Sequence, residues 1–115
     1  MKERYNFEDI IMTTSCTHAL EMMALVLNLK EDDEVLVPSY TFVSTANAFV
    51  KFGIKVRCVD SMKDHPNMDL DKLESSISDK TKAVVIVHYG GQSVDMERLM
   101  EICEKNKIYL LEDAA

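Results

Sequence analysis

Small hydrogen-bonding side chains crowd residues 13–18 of this 115-residue chain, in the stretch TTSCTH. The stretch lies between a short apolar segment and a long apolar run, so it is predicted to lead from a strand into a helix. The first turn of a helix has free N–H groups and a partial positive charge, which favour an anion such as phosphate. Ser15 and Thr17 add hydroxyl donors to such a site. Capping of the helix by Thr14 or Ser15 explains part of this cluster, but not all of its hydroxyl groups.

Cys16 and His18 in the same stretch support a second hypothesis. A thiol at a helix N-terminus can have a lowered pKa and act as a nucleophile. However, residues two apart on a helix point about 200° apart, and a buried cysteine is more often inert. The anion-binding interpretation is therefore the stronger one.

Two further segments place aromatic or acidic side chains just after apolar runs. Tyr40 and Phe42 lie in PSYTF, where an aromatic ring can stack on a flat ligand, although packing on neighbouring helices fits equally well. Glu112 and Asp113 follow the last apolar run. They fit an acid that binds a protonated ring nitrogen, or a plain turn carboxylate. The metal-holding acid of a P-loop ATPase is excluded, because the chain lacks G-x-x-x-x-G-K-[ST].

His88 precedes two glycines in VHYGGQ, and glycine pairs permit positive φ or close backbone approach. No second histidine stands at metal-ligand spacing, so His88 is interpreted as a structural histidine. His65, in DHPN, is interpreted as a solvated turn residue. The sequence supports no metal site.

The elements that must position these residues alternate between strands and helices. Short runs rich in Val and Ile are typical of strands covered on both faces, and they occur at residues 10–13, 34–38, 54–60, 82–89 and 107–112. Helical patterns lie between them, at residues 17–29, 41–52, 69–78 and 93–105. The order βαβαβαβαβ predicts an α/β fold with three layers, a mainly parallel sheet and helices on both faces.

Details of these elements follow from single residues. Asp69 and Ser93 are predicted N-caps, and Gly53 is a predicted C-cap. The helix at 17–29 is apolar nearly all round, which predicts deep burial. Residues 61–67 are predicted to form a turn.

Ligands of parallel sheets bind beyond the carboxyl ends of the strands. We therefore expect the candidate residues to meet at one edge of the sheet, in the segments 14–18, 39–42, 61–62, 90–92 and 113–115.

Composition narrows the function classes. With 47% hydrophobic and 29% charged residues the chain can bury a core, and its length fits a single domain. A net charge of −7 without a basic stripe argues against nucleic-acid binding. Three widely spaced cysteines and no signal-peptide pattern predict a reduced, cytoplasmic protein. No apolar run reaches the roughly 18 residues of a membrane span, so no membrane partner is expected.

Four segments in this order resemble a known family. They are SCTHALEM, DEVLVPSYTFVSTANAFV, DKTKAVVIVHYGG and EDAA. They resemble the sugar aminotransferases of the DegT/DnrJ/EryC1/StrS family, which use pyridoxal 5'-phosphate (PLP) on the fold-type I scaffold. The resemblance covers residues 11–115, and within the family it is greatest to the dTDP-4-amino-4,6-dideoxygalactose transaminases. It implies amino transfer from glutamate to a 4-keto-6-deoxy sugar nucleotide, in the synthesis of cell-surface polysaccharides such as lipopolysaccharide.

The resemblance also implies roles for individual residues. Cys16, Thr17 and His18 would lie at the cofactor phosphate. Phe42 would stack on one face of the pyridine ring, and Ala115 would pack against the other. Asp113 would pair with the pyridine nitrogen and keep it protonated, which makes the ring a better electron sink.

Other consequences of the resemblance concern what the chain contains. The lysine that binds the cofactor covalently has no counterpart among the ten lysines here, so residues 1–115 are expected to be an inactive, partial large domain. MKERYNF stands in place of the family's N-terminal helix. The strand at 10–13 is expected to lie apart from the other four. The strand at 107–112 is then left with an unpaired edge, which favours a homo-oligomer. From the residues alone, two alternatives stay open: a non-catalytic phosphate- or nucleotide-binding α/β module, and a structural or regulatory fragment.

Overall fold

Apolar segments rich in Val and Ile form the centre of the molecule in the computed structural model, which describes residues 8–115. The strands are β1 (Glu34–Pro38), β2 (Lys55–Val59), β3 (Ser61–Met62), β4 (His65–Met68), β5 (Thr81–Val87) and β6 (Tyr109–Asp113). β1, β2, β5 and β6 form one parallel sheet in the order β2-β1-β5-β6. β6 forms one edge of this described sheet, as expected.

Helices cover both faces of the sheet, which confirms the predicted three-layer α/β class. They are α1 (Cys16–Val26), α2 (Val43–Val50), α3 (Leu70–Ser76) and α4 (Met96–Asn106), with a short 3-10 turn at Tyr89–Gly91. Alternate residues of the central strands point to opposite faces, so the core has two halves. On one face Val84 and Ile86 of β5 pack with Leu99 of α4. On the other face Val85 packs with Phe49 of α2.

The predicted first strand is wrong. Residues 10–13 have no strand conformation, and Ile11 and Met12 are exposed. A strand needs a hydrogen-bonded neighbour, and neither edge strand of the described sheet, β2 or β6, pairs with this segment. The preceding segment MKERYNF lies outside the described residues.

The predicted turn at 61–67 is correct only for residues 63–64, because β3 and β4 form a small antiparallel hairpin around them. Ser61 pairs with Met68 and Met62 with His65. Met68 and Asn67 are buried, so the hairpin contributes to the core as well as reversing the chain. A hairpin this short has no period-2 pattern from which it could have been predicted.

The helix termini agree only in part with the prediction. Asp69 caps α3 as predicted, since its carboxylate accepts from the N–H groups of Asp71 and Lys72. Ser93 does not cap α4. That role belongs to Asp95, whose carboxylate accepts from the N–H of Arg98 at 3.1 Å.

The ends of α2 and α1 correct two more expectations. α2 ends at Val50, with Lys51 rather than Gly53 as its C-cap. Gly53 lies beyond it with φ 76°, and its N–H donates to the carbonyl of Val50. α1 is not buried all round, because only one of its faces contacts the sheet and α2, and Leu25 is exposed on the other. Among residues 8–115, no helix has both the length and the apolar character that crossing a membrane requires.

The identity of the α4 cap gives a test of this fold. We expect Asp95→Ala to lower the free energy of unfolding by about 1 kcal/mol, because it leaves a first-turn N–H group without its acceptor. Ser93→Ala is the matched control and should change the free energy of unfolding by only a few tenths of the effect of Asp95→Ala. Urea denaturation followed by circular dichroism measures both. A larger loss for Ser93→Ala would place the cap where the sequence pattern put it.

Candidate functional site

The carboxylate of Asp113, at the carboxyl end of β6, is the centre of the candidate site. Its Oδ1 accepts from Cys16 Sγ at 3.3 Å and from the N–H of Ala115 at 3.2 Å. Its Oδ2 accepts from Thr45 Oγ1 at 3.0 Å. Asp113 is only 8% exposed. All of these donors are neutral, so the carboxylate is held by hydrogen bonds but its charge has no partner among residues 8–115.

A second buried carboxylate shows the contrast. Glu34, at the amino end of β1, is also 8% exposed. Its Oε1 accepts from Thr81 Oγ1 at 2.9 Å, and its Oε2 lies 2.7 Å from the guanidinium of Arg57. Buried carboxylates are normally paired with a cation, since an uncompensated buried charge is costly. Asp113 departs from that rule at the edge of the sheet where ligands of parallel sheets bind.

An open cleft of about 370 Å³ lies beside Asp113. It is bounded by the start of α1, by the loop that follows β1, and by the ends of β5 and β6. Its lining includes Cys16, Thr17, Thr41, Phe42, Ser44, His88, Tyr89, Gly90 and Ala115. The cleft therefore lies at the carboxyl edge that the strand order predicts.

The start of α1 brings hydrogen-bond donors to this cleft. The Ser15 hydroxyl caps the helix by accepting from the N–H of His18 at 3.1 Å. The N–H groups of Cys16 and Thr17 belong to the first turn, where no intrahelical acceptor exists. These N–H groups and the Thr17 hydroxyl can bind an anion at the positive end of the helix.

Phe42 supplies an aromatic surface at the mouth of the cleft. It stands immediately before α2 and is 76% exposed. Such a large apolar ring gains free energy when a ligand covers it. The ring can therefore stack on a flat ligand that enters between α1 and α2.

His88 joins the cleft to the end of β6. Its backbone N–H donates to the Asp113 carbonyl at 3.2 Å, and its Nε2 lies 2.8 Å from a Glu112 carboxylate oxygen. Its Nδ1 is buried with no hydrogen-bond partner among the described residues. The structural interpretation of His88 thus accounts for only one of its two ring nitrogens.

The hypothesis that Cys16 is a nucleophile with a lowered pKa is wrong. Burial, the hydrogen bond to Asp113 and the negative charge of Asp113 raise the pKa of the Cys16 thiol above its usual value. The thiol is therefore a neutral donor at neutral pH. Cys16 and His18 also do not interact, because the His18 Nδ1 contacts the Thr14 hydroxyl instead.

Most of the residues expected to bind the cofactor come together. Cys16, Thr17, Phe42, Asp113 and Ala115 all border the one cleft. His18 does not, since its ring is turned toward Thr14 on the outside of α1. Among residues 8–115, no group of three or more His, Cys, Asp or Glu side chains is placed to hold a metal ion.

Sequence reasoning missed Thr45. It is fully buried in α2, donates its hydroxyl proton to Asp113, and therefore accepts from the Thr41 hydroxyl at 2.9 Å. No local signal marks Thr45, because α2 also carries the polar residues Ser44 and Asn47, and only the packing of α2 against β6 brings the Thr45 hydroxyl to Asp113.

The sequence of the chain is similar to those of known aminotransferases. The sequence profile of the DegT/DnrJ/EryC1/StrS aminotransferase family matches residues 3–115. The chain is 36% identical over 105 residues to the UDP-4-amino-4-deoxy-L-arabinose--oxoglutarate aminotransferase of Shewanella sediminis. That match covers 91% of this chain and 27% of the relative. The chain thus spans about a quarter of the length of the curated relatives it matches.

Solved structures of cofactor-bound enzymes are similar to this chain. NtdA from Bacillus subtilis, with bound cofactor PMP, matches with a TM-score of 0.84 and 34% identity, over 89% of this chain and 23% of that one. The E. coli GDP-4-keto-6-deoxy-D-mannose-3-dehydratase, with bound hydrated PLP, matches with a TM-score of 0.90 and 26% identity, over 99% and 31%.

The thiol of Cys16 gives a test of the site's electrostatics. Cys16 and Cys58 are both exposed. At pH 8 we expect iodoacetamide to alkylate Cys16 more slowly than Cys58, because the raised pKa of Cys16 leaves less thiolate. Asp113→Asn removes the negative charge and should lower the Cys16 pKa and speed its alkylation, with no change at Cys58. Peptide mass spectrometry over a pH series measures both rates. Faster reaction at Cys16 than at Cys58 in the unaltered chain would contradict the hydrogen bond to Asp113.

Proposed function

The chain belongs to the DegT/DnrJ/EryC1/StrS aminotransferase family, and from this premise we propose that it is part of the cofactor-binding large domain of a PLP-dependent transaminase. Homologues in the family are PLP-dependent sugar aminotransferases that act in the synthesis of amino sugars on nucleotides. The proposed reaction transfers an amino group from glutamate to a 4-keto-6-deoxy sugar carried on a nucleotide, with dTDP as the carrier.

The observation that carries this proposal is the buried carboxylate of Asp113 without a cation. A protonated pyridine nitrogen is both a hydrogen-bond donor and a positive charge, so it supplies what the described surroundings of Asp113 lack. The residues present therefore fit PLP. When bound, PLP withdraws electrons from the substrate carbon that loses its proton.

Neighbouring side chains position Asp113 for this task. Thr45 and Cys16 donate to different oxygens of the carboxylate. Each carboxylate oxygen has more than one lone pair, so a further donor can still bind. Because the donors come from α1 and α2, the carboxylate is fixed before any ligand arrives, which lowers the entropic cost of binding.

The other proposed contacts follow from the lining of the cleft. The N–H groups of Cys16 and Thr17, with the Thr17 hydroxyl, would bind the phosphate. Phe42 would cover one face of the ring, and Ala115 leaves room at the other. His18, which faces Thr14, contributes through its backbone or not at all.

Proton transfer needs a further group. Among residues 8–115 no lysine lines the cleft, and Lys51, Lys55, Lys72 and Lys105 are paired with carboxylates elsewhere. The curated relatives extend well beyond the matched region. We propose that the lysine that binds PLP covalently belongs to the part of the protein that corresponds to those additional regions. Residues 1–115 alone would then bind no cofactor covalently and catalyse no amino transfer.

The names of the relatives support the substrate. One relative is named for a 4-amino sugar on UDP and for oxoglutarate, the keto acid formed from glutamate. A structural neighbour is named for a 4-keto-6-deoxy sugar on GDP. A keto group at C4 and a missing hydroxyl at C6 are therefore the features proposed for this substrate, while dTDP rests on the resemblance of the four sequence segments.

Replacement of Asp113 tests the proposed cofactor contact. In the protein that contains residues 1–115, we expect Asp113→Asn to weaken PLP binding by about 1.5–3 kcal/mol, because a charge-assisted hydrogen bond becomes a neutral one. Glu112→Gln is the matched control: this carboxylate is one residue away and half exposed. Equilibrium dialysis with PLP measures both. Equal affinities for Asp113→Asn and the unaltered protein would refute the proposal.

Replacement of Thr17 tests the phosphate contact. Thr17→Val keeps the shape of the side chain and removes its hydroxyl, so we expect PLP affinity to fall by about 1.5–3 kcal/mol. Thr14→Val is the control, since that hydroxyl faces His18 outside the cleft. If PLP and pyridoxal without phosphate are weakened equally by Thr17→Val, the hydroxyl does not contact the phosphate.

A further inference from the structure

Two tyrosines form a second aromatic site next to the cofactor cleft. Tyr40 follows β1 and Tyr89 follows β5. Together with Ser39, Thr41 and Phe42 they border a cavity of about 320 Å³. Thr41, Phe42 and Tyr89 also border the cleft beside Asp113. The two cavities are therefore neighbours that share these three side chains.

The tyrosines are held together rather than merely exposed. Their ring centroids are 5.0 Å apart with an interplanar angle of 64°, and their hydroxyl oxygens are 3.4 Å apart. The hydrogen bond to Tyr40 raises the pKa of Tyr89 above its usual value, with the charge of Tyr40 and burial adding to the effect. Edge-to-face packing of this kind fixes the ring directions before a ligand binds.

Their loops are also anchored to the sheet. The N–H of Ser39, just before Tyr40, donates to the carbonyl of Val59 at 2.8 Å. The N–H of His88, just before Tyr89, donates to the Asp113 carbonyl at 3.2 Å. The pair thus has a fixed position relative to Asp113, as a substrate subsite requires.

The lining of the tyrosine site favours an uncharged ligand group. No Lys or Arg of residues 8–115 borders this cavity. A diphosphate is normally bound by cations or by a helix N-terminus. Within the described residues, the tyrosine pair therefore offers an aromatic surface for the sugar rather than a site for the diphosphate.

The sugar is the part that must lie beside the cofactor, because its carbon reacts. A 6-deoxy sugar exposes C–H groups and a methyl group in place of a hydroxyl. Such surfaces gain free energy on aromatic rings that are otherwise half exposed, and Tyr40 and Tyr89 are 52% and 44% exposed. We propose that Tyr40 and Tyr89 form the binding subsite for the deoxysugar ring of the nucleotide-linked substrate. This inference rests on the proposed function.

Binding measurements with two ligands test the subsite. We expect Tyr40→Ala and Tyr89→Ala each to weaken binding of a dTDP-linked 6-deoxyhexose about tenfold. Binding of dTDP alone should not change, since it lacks the hexose that is proposed to stack on the rings. Tyr109→Ala is the matched control, because Tyr109 is 57% exposed but lies at the amino end of β6. Isothermal titration calorimetry on the PLP-loaded protein that contains residues 1–115 gives all of these affinities.

Three outcomes would overturn the proposal. Equal weakening for dTDP alone would mean that the rings bind the base. Unchanged affinity for both ligands would mean that other parts of the protein cover the pair. A Tyr109→Ala effect as large as the others would mean a general loss of structure.

A conservative variant separates stacking from the hydroxyl contact. Tyr40→Phe keeps the ring and removes the hydrogen bond, so sugar-nucleotide affinity should stay within about twofold while the Tyr89 pKa falls. Because Tyr5 and Tyr109 also titrate, NMR of 13C-labelled tyrosine, assigned with Tyr89→Phe, follows the Tyr89 phenol. A tenfold loss of affinity in Tyr40→Phe would contradict stacking. PLP affinity should be unchanged in the Tyr40 variants, because Tyr40 does not border the cleft beside Asp113, so failure of this subsite is distinguishable from failure of the Asp113 contact.

Discussion

The hydrogen bonds to Asp113 join parts of the chain that are remote in sequence. Cys16 lies 97 residues from Asp113, and Thr45 lies 68 residues from it. The carboxylate therefore fixes the first turn of α1 and the buried face of α2 against the end of β6. Burying a carboxylate is costly, and three neutral donors offset only part of that cost. The elements can hold this arrangement because the apolar core on either side of the sheet has already brought them together.

The buried carboxylates at the two ends of the sheet, Glu34 and Asp113, have different partners. At the amino end, Glu34 has Arg57 as a counter-charge and Thr81 as a donor. At the carboxyl end, Asp113 has donors but no cation in the described part of the chain. Parallel strands all end at that edge, and the loops that follow them bring α1, Phe42 and His88 around the carboxylate. In the proposed function, a positively charged ligand group completes the pairing that residues 8–115 leave open.

The parts predicted from sequence are those fixed by local pattern. Two-sided apolar runs gave β1, β2, β5 and β6, and the rule that ligands bind beyond strand ends gave Cys16, Phe42 and Asp113 as neighbours. Thr45 was missed, because its contact depends on the rotation of α2 against β6, which no local pattern records. Residues 10–13 have strand composition, but a strand requires a partner, and the described sheet provides none.

Two opposing effects act on the pKa of the Cys16 thiol. The helix N-terminus favours a thiolate by about 0.3–1 kcal/mol. The neighbouring carboxylate and the partial burial of the thiol oppose it, and they prevail, since the pKa of Cys16 is raised. The thiol therefore remains a donor, and the positive end of α1 is not neutralised by a thiolate. That end stays available for an anion, which in the proposed function is the phosphate of the cofactor, while Asp113 faces the cofactor ring. The segment TTSCTH can thus contribute to both charged ends of the proposed ligand. Its N–H groups face the phosphate, and Cys16 donates to Asp113, which faces the ring nitrogen.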